Sequence, residues 1–174
     1  YQNGGLDLYL ETDFDTDLSP LKKIREYSHL QLDNDKIERY LPYVQNAVVH
    51  ELQLNDMNQG TVTADQLPKV TDRLELHRIP SLTSLDGLKA PGPHTIQLDN
   101  MTNLTSVSAL KPLIKESGVR ELRVGGCPRV ADWSALEGAP LEKLVVYGDL
   151  VFLPQSLQSI AERTEGWNEW WQDD

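Results

Sequence analysis

The chain has 174 residues, 39% of them hydrophobic and 25% charged, with 27 acidic against 16 basic side chains and a net charge of −11. That size and balance suit one soluble domain with a substantial core, and the negative charge argues against a nucleic-acid backbone as partner. A single cysteine excludes an internal disulfide framework, and no apolar run approaches the roughly 18 residues that would cross a membrane.

Along the chain, pairs of aliphatic residues one position apart recur at Leu8/Leu10, Leu30/Leu32, Leu52/Leu54, Leu74/Leu76, Ile96/Leu98, Leu122/Val124 and Leu144/Val146. The step between first members is constant except for one longer step, from Ile96 to Leu122. Each pair predicts a short strand with both aliphatics turned inward and polar neighbours outward. The first unit is irregular, with "ETDFDTD" where later units are apolar. Its Asp13, Asp15 and Asp17 have the start of a calcium-loop pattern, but Leu18 stands where glycine is required and Ile24 where the closing acid is required. A solvated acidic edge is the expectation. The three middle units share one pattern: Ile79, Leu82, Leu85 and Leu88; Met101, Leu104, Val107 and Leu110; Cys127, Val130, Trp133 and Leu136. Within each unit these apolar positions recur at every third place after the strand, as in a strand that leads into a tight 3₁₀-like or irregular return. The four additional residues of the longer step predict a short helix over Pro112 to Ser117, stopped by Gly118. The last unit runs through Leu150, Leu153, Leu157 and Ile160 into a tail carrying Trp167, Trp170 and Trp171, expected to cap the open end of the core over about 158–174.

This pattern resembles the leucine-rich repeat, with its short strand signature and its period of 20–29 residues. The resemblance covers about residues 6–157, and the 22-residue unit is similar to that of bacterial repeat proteins. The family often places Asn five residues after the first aliphatic. That column here reads Asp13, Asp35, Met57, Ile79, Met101, Cys127 and Asp149, closer to the variant with a small or apolar residue there. The resemblance implies one α/β domain over 1–174, a leucine-rich-repeat solenoid of about seven repeats with a parallel sheet on its concave face and 3₁₀ or irregular convex returns.

Candidate chemistry is sparse. His29, His50, His77 and His94 fall in separate units without metal-ligand spacing and are expected at the solvated surface. Two overlapping acceptor patterns for glycosylation, at Asn100 and Asn103, have core residues in their middle and read as incidental. Cys127 sits between Arg123 and Arg129 after two glycines, a setting that would favour a thiolate. Its column, however, is turned inward, where free cysteine behaves as a small hydrophobe. No phosphate-binding glycine loop or Ser/His/Asp set is present, and the chain is read as non-enzymatic, with neither metal nor cofactor.

What remains is the outward side of the strands. One position before the first aliphatic stand Glu51, Arg73 and Lys143; one position after it stand Tyr9, Gln31, Gln53, Glu75, Gln97 and Arg123; three after it stand Asp33, Asn55, His77, Asp99 and Tyr147. All are expected to point from the concave face, as a surface that is acidic and amide-bearing at first and turns basic near Arg123 and Lys143. The favoured function is non-catalytic recognition of a protein or peptide there, with Tyr9, Tyr147 and Arg123 as anchors. The alternative is a ligand-sensing extracytoplasmic domain of a membrane-anchored protein. It is motivated by a chain that opens at Tyr1 with a repeat almost at once, as a processed protein or excised fragment would, and it favours a secreted, periplasmic or cell-surface location over the cytoplasm. A cysteine-dependent enzyme built on Cys127 is the remaining alternative.

Overall fold

In the computed structural model the aliphatic pairs lie side by side. Residues 6–10, 17–33, 37–57, 60–90, 92–147 and 153–164 are described. They form eight strands, β1 (Leu6–Leu10), β2 (Glu26–Asp33), β3 (Val48–Asn55), β4 (Lys69–His77), β5 (Thr95–Asp99), β6 (Glu121–Gly125), β7 (Lys143–Tyr147) and β8 (Ala161–Thr164). The strands form one sheet in chain order, parallel throughout. At the usual spacing of about 4.8 Å, eight strands make a sheet about 34 Å across. One open α/β sheet with consecutive strands adjacent is compatible with a solenoid-like arrangement.

The register follows the repeat. Leu8 pairs with Leu30, Leu30 with Leu52, Leu52 with Leu74, Leu74 with Ile96, Ile96 with Leu122, and Leu122 with Leu144. A slip of one residue would move every aliphatic to the polar face, so alternation alone fixes this pairing. From Leu30 to Val146 both members of each pair are buried in one continuous core. The buried residues of the returns belong to the same core, so the returns stand on the aliphatic side of the sheet.

The chain leaves each middle strand by the same device. Asp56, Arg78, Asn100 and Gly126, each four residues after the first aliphatic, all have φ between 53° and 62°. This left-handed turn sends the next residue inward, and Met57, Ile79, Met101 and Cys127 are all buried. It also prolongs the ladder by one bond, because the N–H groups of Asp56, Arg78 and Asn100 donate to the carbonyls of His77, Asp99 and Gly125 at 2.8–3.0 Å. Asp and Asn tolerate the conformation and Gly adopts it freely. Arg78 has no such ease, and its guanidinium is held by a two-pronged pair with Asp56, Nη2 to Oδ2 at 2.7 Å.

The returns differ from expectation in three places. The helix stopped by Gly118 (φ 82°) starts two residues earlier, at Leu110, because Leu110 and Ile114 supply its buried stripe. A second helix, Ile37–Val44, has no counterpart among the sequence expectations. Its Ile37, Tyr40, Leu41 and Val44 are buried at helical spacing, which outweighs the Pro42 inside it. At the C-terminal end the sheet does not stop at seven strands. After a four-residue helical turn (Gln155–Gln158), β8 pairs with β7, Leu144 opposite Ala161, so part of the region expected to cap the core continues the sheet instead. Short 3₁₀ turns at Ser19–Lys23, Ala64–Gln66 and Ser134–Leu136 make up other returns. Asp13, Asp15, Asp35, Asp149, Leu150, Trp167, Trp170 and Trp171 lie outside the described residues. No helix among the described residues is long and apolar enough to cross a membrane.

Candidate functional site

The sheet face opposite the returns carries the side chains that alternate with the aliphatics. Those one position before and one after the first aliphatic are exposed or half-buried through most of the ladder: Glu51, Arg73 and Lys143 in one column, Tyr9, Gln31, Gln53, Glu75, Gln97 and Arg123 in the other. Tyr9 is 63% exposed and stacks on His29 with ring centres 5.1 Å apart. Val145, which takes the position after the first aliphatic in β7, is buried.

The third column corrects the sequence reading. Asp33 and Tyr147 are half-buried there, but Asn55 (6% exposed), His77 (5%) and Asp99 (1%) are buried rather than exposed. The reason lies in the residue two positions earlier on the same strand, which folds over each of them. Gln31 Nε2 donates to Asp33 Oδ2 at 2.9 Å, Gln53 Nε2 to Asn55 Oδ1 at 3.3 Å, and Gln97 Nε2 to Asp99 Oδ2 at 2.7 Å. Glu75 takes that place over His77, its Oε2 lying 3.3 Å from Nε2. Neighbouring rungs are then tied together, as Asn55 Nδ2 donates to Asp33 Oδ1 at 2.5 Å and His77 Nδ1 lies 2.8 Å from Asp99 Oδ2. The polar face is therefore a buried row under a half-exposed one.

His77 is the centre of that row. Burial disfavours its imidazolium, but hydrogen bonds and charge from Asp99 and Glu75 outweigh the loss and raise its pKa to about 9. Burial likewise opposes ionisation of Glu75, yet His77 and the adjacent Arg73 hold its carboxyl below the usual range. An imidazole that carries both protons has no lone pair with which to take another, so His77 near neutral pH is a structural cation and not a general base. Among the described residues, the buried Asp99 Oδ1 and the buried ring nitrogen Nε2 of His29 have no hydrogen-bond partner.

The predicted anchors are split. Arg123 and Tyr147 meet, Nη1 donating to the phenol oxygen at 3.5 Å, and Arg123 also pairs with Glu121 at 2.7 Å, with Lys143 3.9 Å from the same carboxylate. Tyr9 stands five strands from Arg123 and six from Tyr147, about 24 Å and about 29 Å at the usual spacing. A ligand that touched all three would have to lie across the ladder.

Cys127 is 2% exposed, its Sγ 3.4 Å from the carbonyl oxygen of Gly125, and burial pushes the thiol up to about 11. Arg123, the neighbour that would have favoured a thiolate, instead pairs with Glu121 on the sheet's polar face. Among the described residues no three His, Cys, Asp or Glu side chains are placed to hold a metal ion. Compared with protein-family models, with curated proteins and with solved structures, the chain has no match.

Proposed function

We propose that this chain is a leucine-rich-repeat solenoid that recognises a protein or peptide, without catalysis, on the open face of its sheet. One observation carries the reading. Parallel sheets are ordinarily covered on both faces, whereas the described returns here pack on the aliphatic side alone. The other face offers two columns of half-exposed polar and aromatic side chains over a buried hydrogen-bonded row, a preorganised surface of the kind that loses little entropy on docking. The regular repeat and its residue-by-residue pairing support the family reading, and the 22-residue unit supports a bacterial type.

The test replaces exposed groups on that face and spares the buried row. Glu51→Lys with Arg73→Glu inverts two side chains that are about half exposed, so the fold should survive with an unchanged circular dichroism spectrum. Partners captured by the wild type and identified by mass spectrometry should be lost by the double variant. Retention of the same partners at the same affinity refutes recognition through this face.

A further inference from the structure

A second candidate site lies away from the open face, among the returns. Where the 3₁₀ turn Ser19–Lys23 leads into β2 and the helix Ile37–Val44 leads into β3, a cavity of about 250 Å³ opens between them. Lys22, Arg25, Gln45 and Asn46 form its polar side, and Pro42 and Tyr43 part of its apolar side. Among the described residues no carboxylate lines it. The Lys22 ammonium stands 4.9 Å from the centre of the Tyr43 ring, a cation–π contact that holds it at the rim.

Lys22 and Arg25 differ from four of the arginines elsewhere in the molecule. Arg73, Arg78, Arg120 and Arg123 each pair with a carboxylate. Among the described residues, Lys22 and Arg25 pair with none, and the side-chain amides of Gln45 and Asn46 make no hydrogen bond to protein. In a chain of net charge −11, this is a local reversal of sign around a concavity.

We propose that this cavity binds a single oxyanion group, a phosphate or a carboxylate. Lys22 and Arg25 supply the counter-charges, and the Gln45 and Asn46 amide N–H groups supply neutral donors. The planar guanidinium can meet two oxygens at once, whereas the ammonium acts as a point charge. The volume falls below the ~300–1,000 Å³ typical of pockets for larger organic ligands, so it admits one charged group with a short apolar attachment against Pro42 and Tyr43. The site is independent of the open-face reading and stands or falls by its own test.

The whole chain, labelled with ¹⁵N, is titrated with sodium phosphate while sodium chloride holds the ionic strength constant. Saturable shifts are expected at the amides of Arg25, Asn46 and Ala47. Lys22→Gln and Arg25→Gln, both at exposed positions, should each weaken half-saturation about tenfold, as loss of one charge-assisted hydrogen bond predicts. Acetate and a peptide carrying one phosphoserine serve as separate arms. Tighter binding of the peptide than of phosphate assigns the site to an anionic side chain of a partner; equal or weaker binding assigns it to the free anion, and either upholds the site. Shifts that do not saturate, or that both variants retain, mean an adventitious ion only and overturn the proposal.

Discussion

Raising the pH from 6 to 9 should weaken the fold through one side chain, His77. Its pKa stands at about 9 in the folded chain against 6.5 for the free side chain. The folded value is the higher one, so the contribution is complete below about 6.5 and is lost as the pH rises through 9. At ~1.36 kcal/mol per pH unit, a rise from 6.5 to about 9 corresponds to about 3 kcal/mol. With a urea dependence of about 2 kcal/mol per M, the unfolding midpoint should fall by about 1–2 M across this range. The window excludes two other shifted groups. Glu75 is lowered from 4.5, so its contribution is lost only at more acid pH, and Cys127, raised from 9.0 to about 11, destabilises the fold only above about pH 9. The comparison is with His77→Gln, which leaves Glu75 and Asp99 in the sheet without their cation. That variant should be less stable by about 3–5 kcal/mol at pH 6, the range for breaking a buried pair, and nearly flat from pH 6 to 9. Parallel profiles for the two proteins would show that the Glu75–His77–Asp99 row does not hold the proton assigned to it.

Two further outcomes test the register of the sixth strand. Cys127 should be inert to an aromatic disulfide reagent at pH 8 in the folded chain, where a thiol at about 11 is thiolate in roughly one molecule in a thousand, and should react at once in denaturant; fast native modification would return it to the surface. Gly126→Ala should cost about 1–3 kcal/mol and lower Tm by about 2–10 °C, since φ is +60° and an added Cβ would press on the Asn100 side chain and come within 3.0 Å of its Cα. Gly118→Ala, at φ +82° with nothing within 4 Å, carries the backbone cost alone and should be the milder change. Equal costs at the two glycines would mean that Asn100 does not crowd Gly126.

Much of the sheet was legible because its signal is local and repeated. Aliphatics two apart, recurring once in every unit, leave one register in which both faces are consistent, and the ladder adopts it. The inward turn of Met57, Ile79, Met101 and Cys127 was legible for the same reason. The left-handed column was hidden, since Asp56, Arg78, Asn100 and Gly126 share a backbone conformation and no side-chain type. The helix Ile37–Val44 was masked by Pro42, whose cost is obvious in sequence while the burial of Tyr40 and Leu41 is not. The strand β8 follows β7 sooner than the period that marks the others, with Ala161 and not a leucine opposite Leu144. The cavity at Lys22 and Arg25 joins two separate returns, and nothing in the spacing of a lysine, an arginine and two amides announces it.

The largest departure, the burial of Asn55, His77 and Asp99, shows where alternation stops being sufficient. Alternation assigns a side chain to a face of the sheet, but not to a depth on that face. Depth depends on reach: a Gln or Glu two residues earlier on the same strand is long enough to bend over its shorter neighbour and bond it. Once covered, a carboxylate must find a cation or a donor, and the next rung supplies one for Asp33 in Asn55, while the preceding rung supplies His77 for Asp99. The row thereby acts on the register from the polar side, as the aliphatics do from the other. A slip would separate Asp99 from His77 as well as expose the leucines. Gly125 ends the row, having no side chain to offer Asp99, and Asp99 Oδ1 has no hydrogen-bond partner among the described residues. The division of labour bears on recognition. The buried row sets the geometry of the face, and under the recognition proposed above a partner would meet the columns over it: Tyr9 and His29 at one end, Arg123, Lys143 and Tyr147 at the other, with Glu51, Arg73 and the glutamine amides between. The outer columns are not equivalent in this respect: Gln31, Gln53, Glu75 and Gln97 cover the buried row, and a change at those four, as at Asn55, His77 or Asp99, alters the sheet itself.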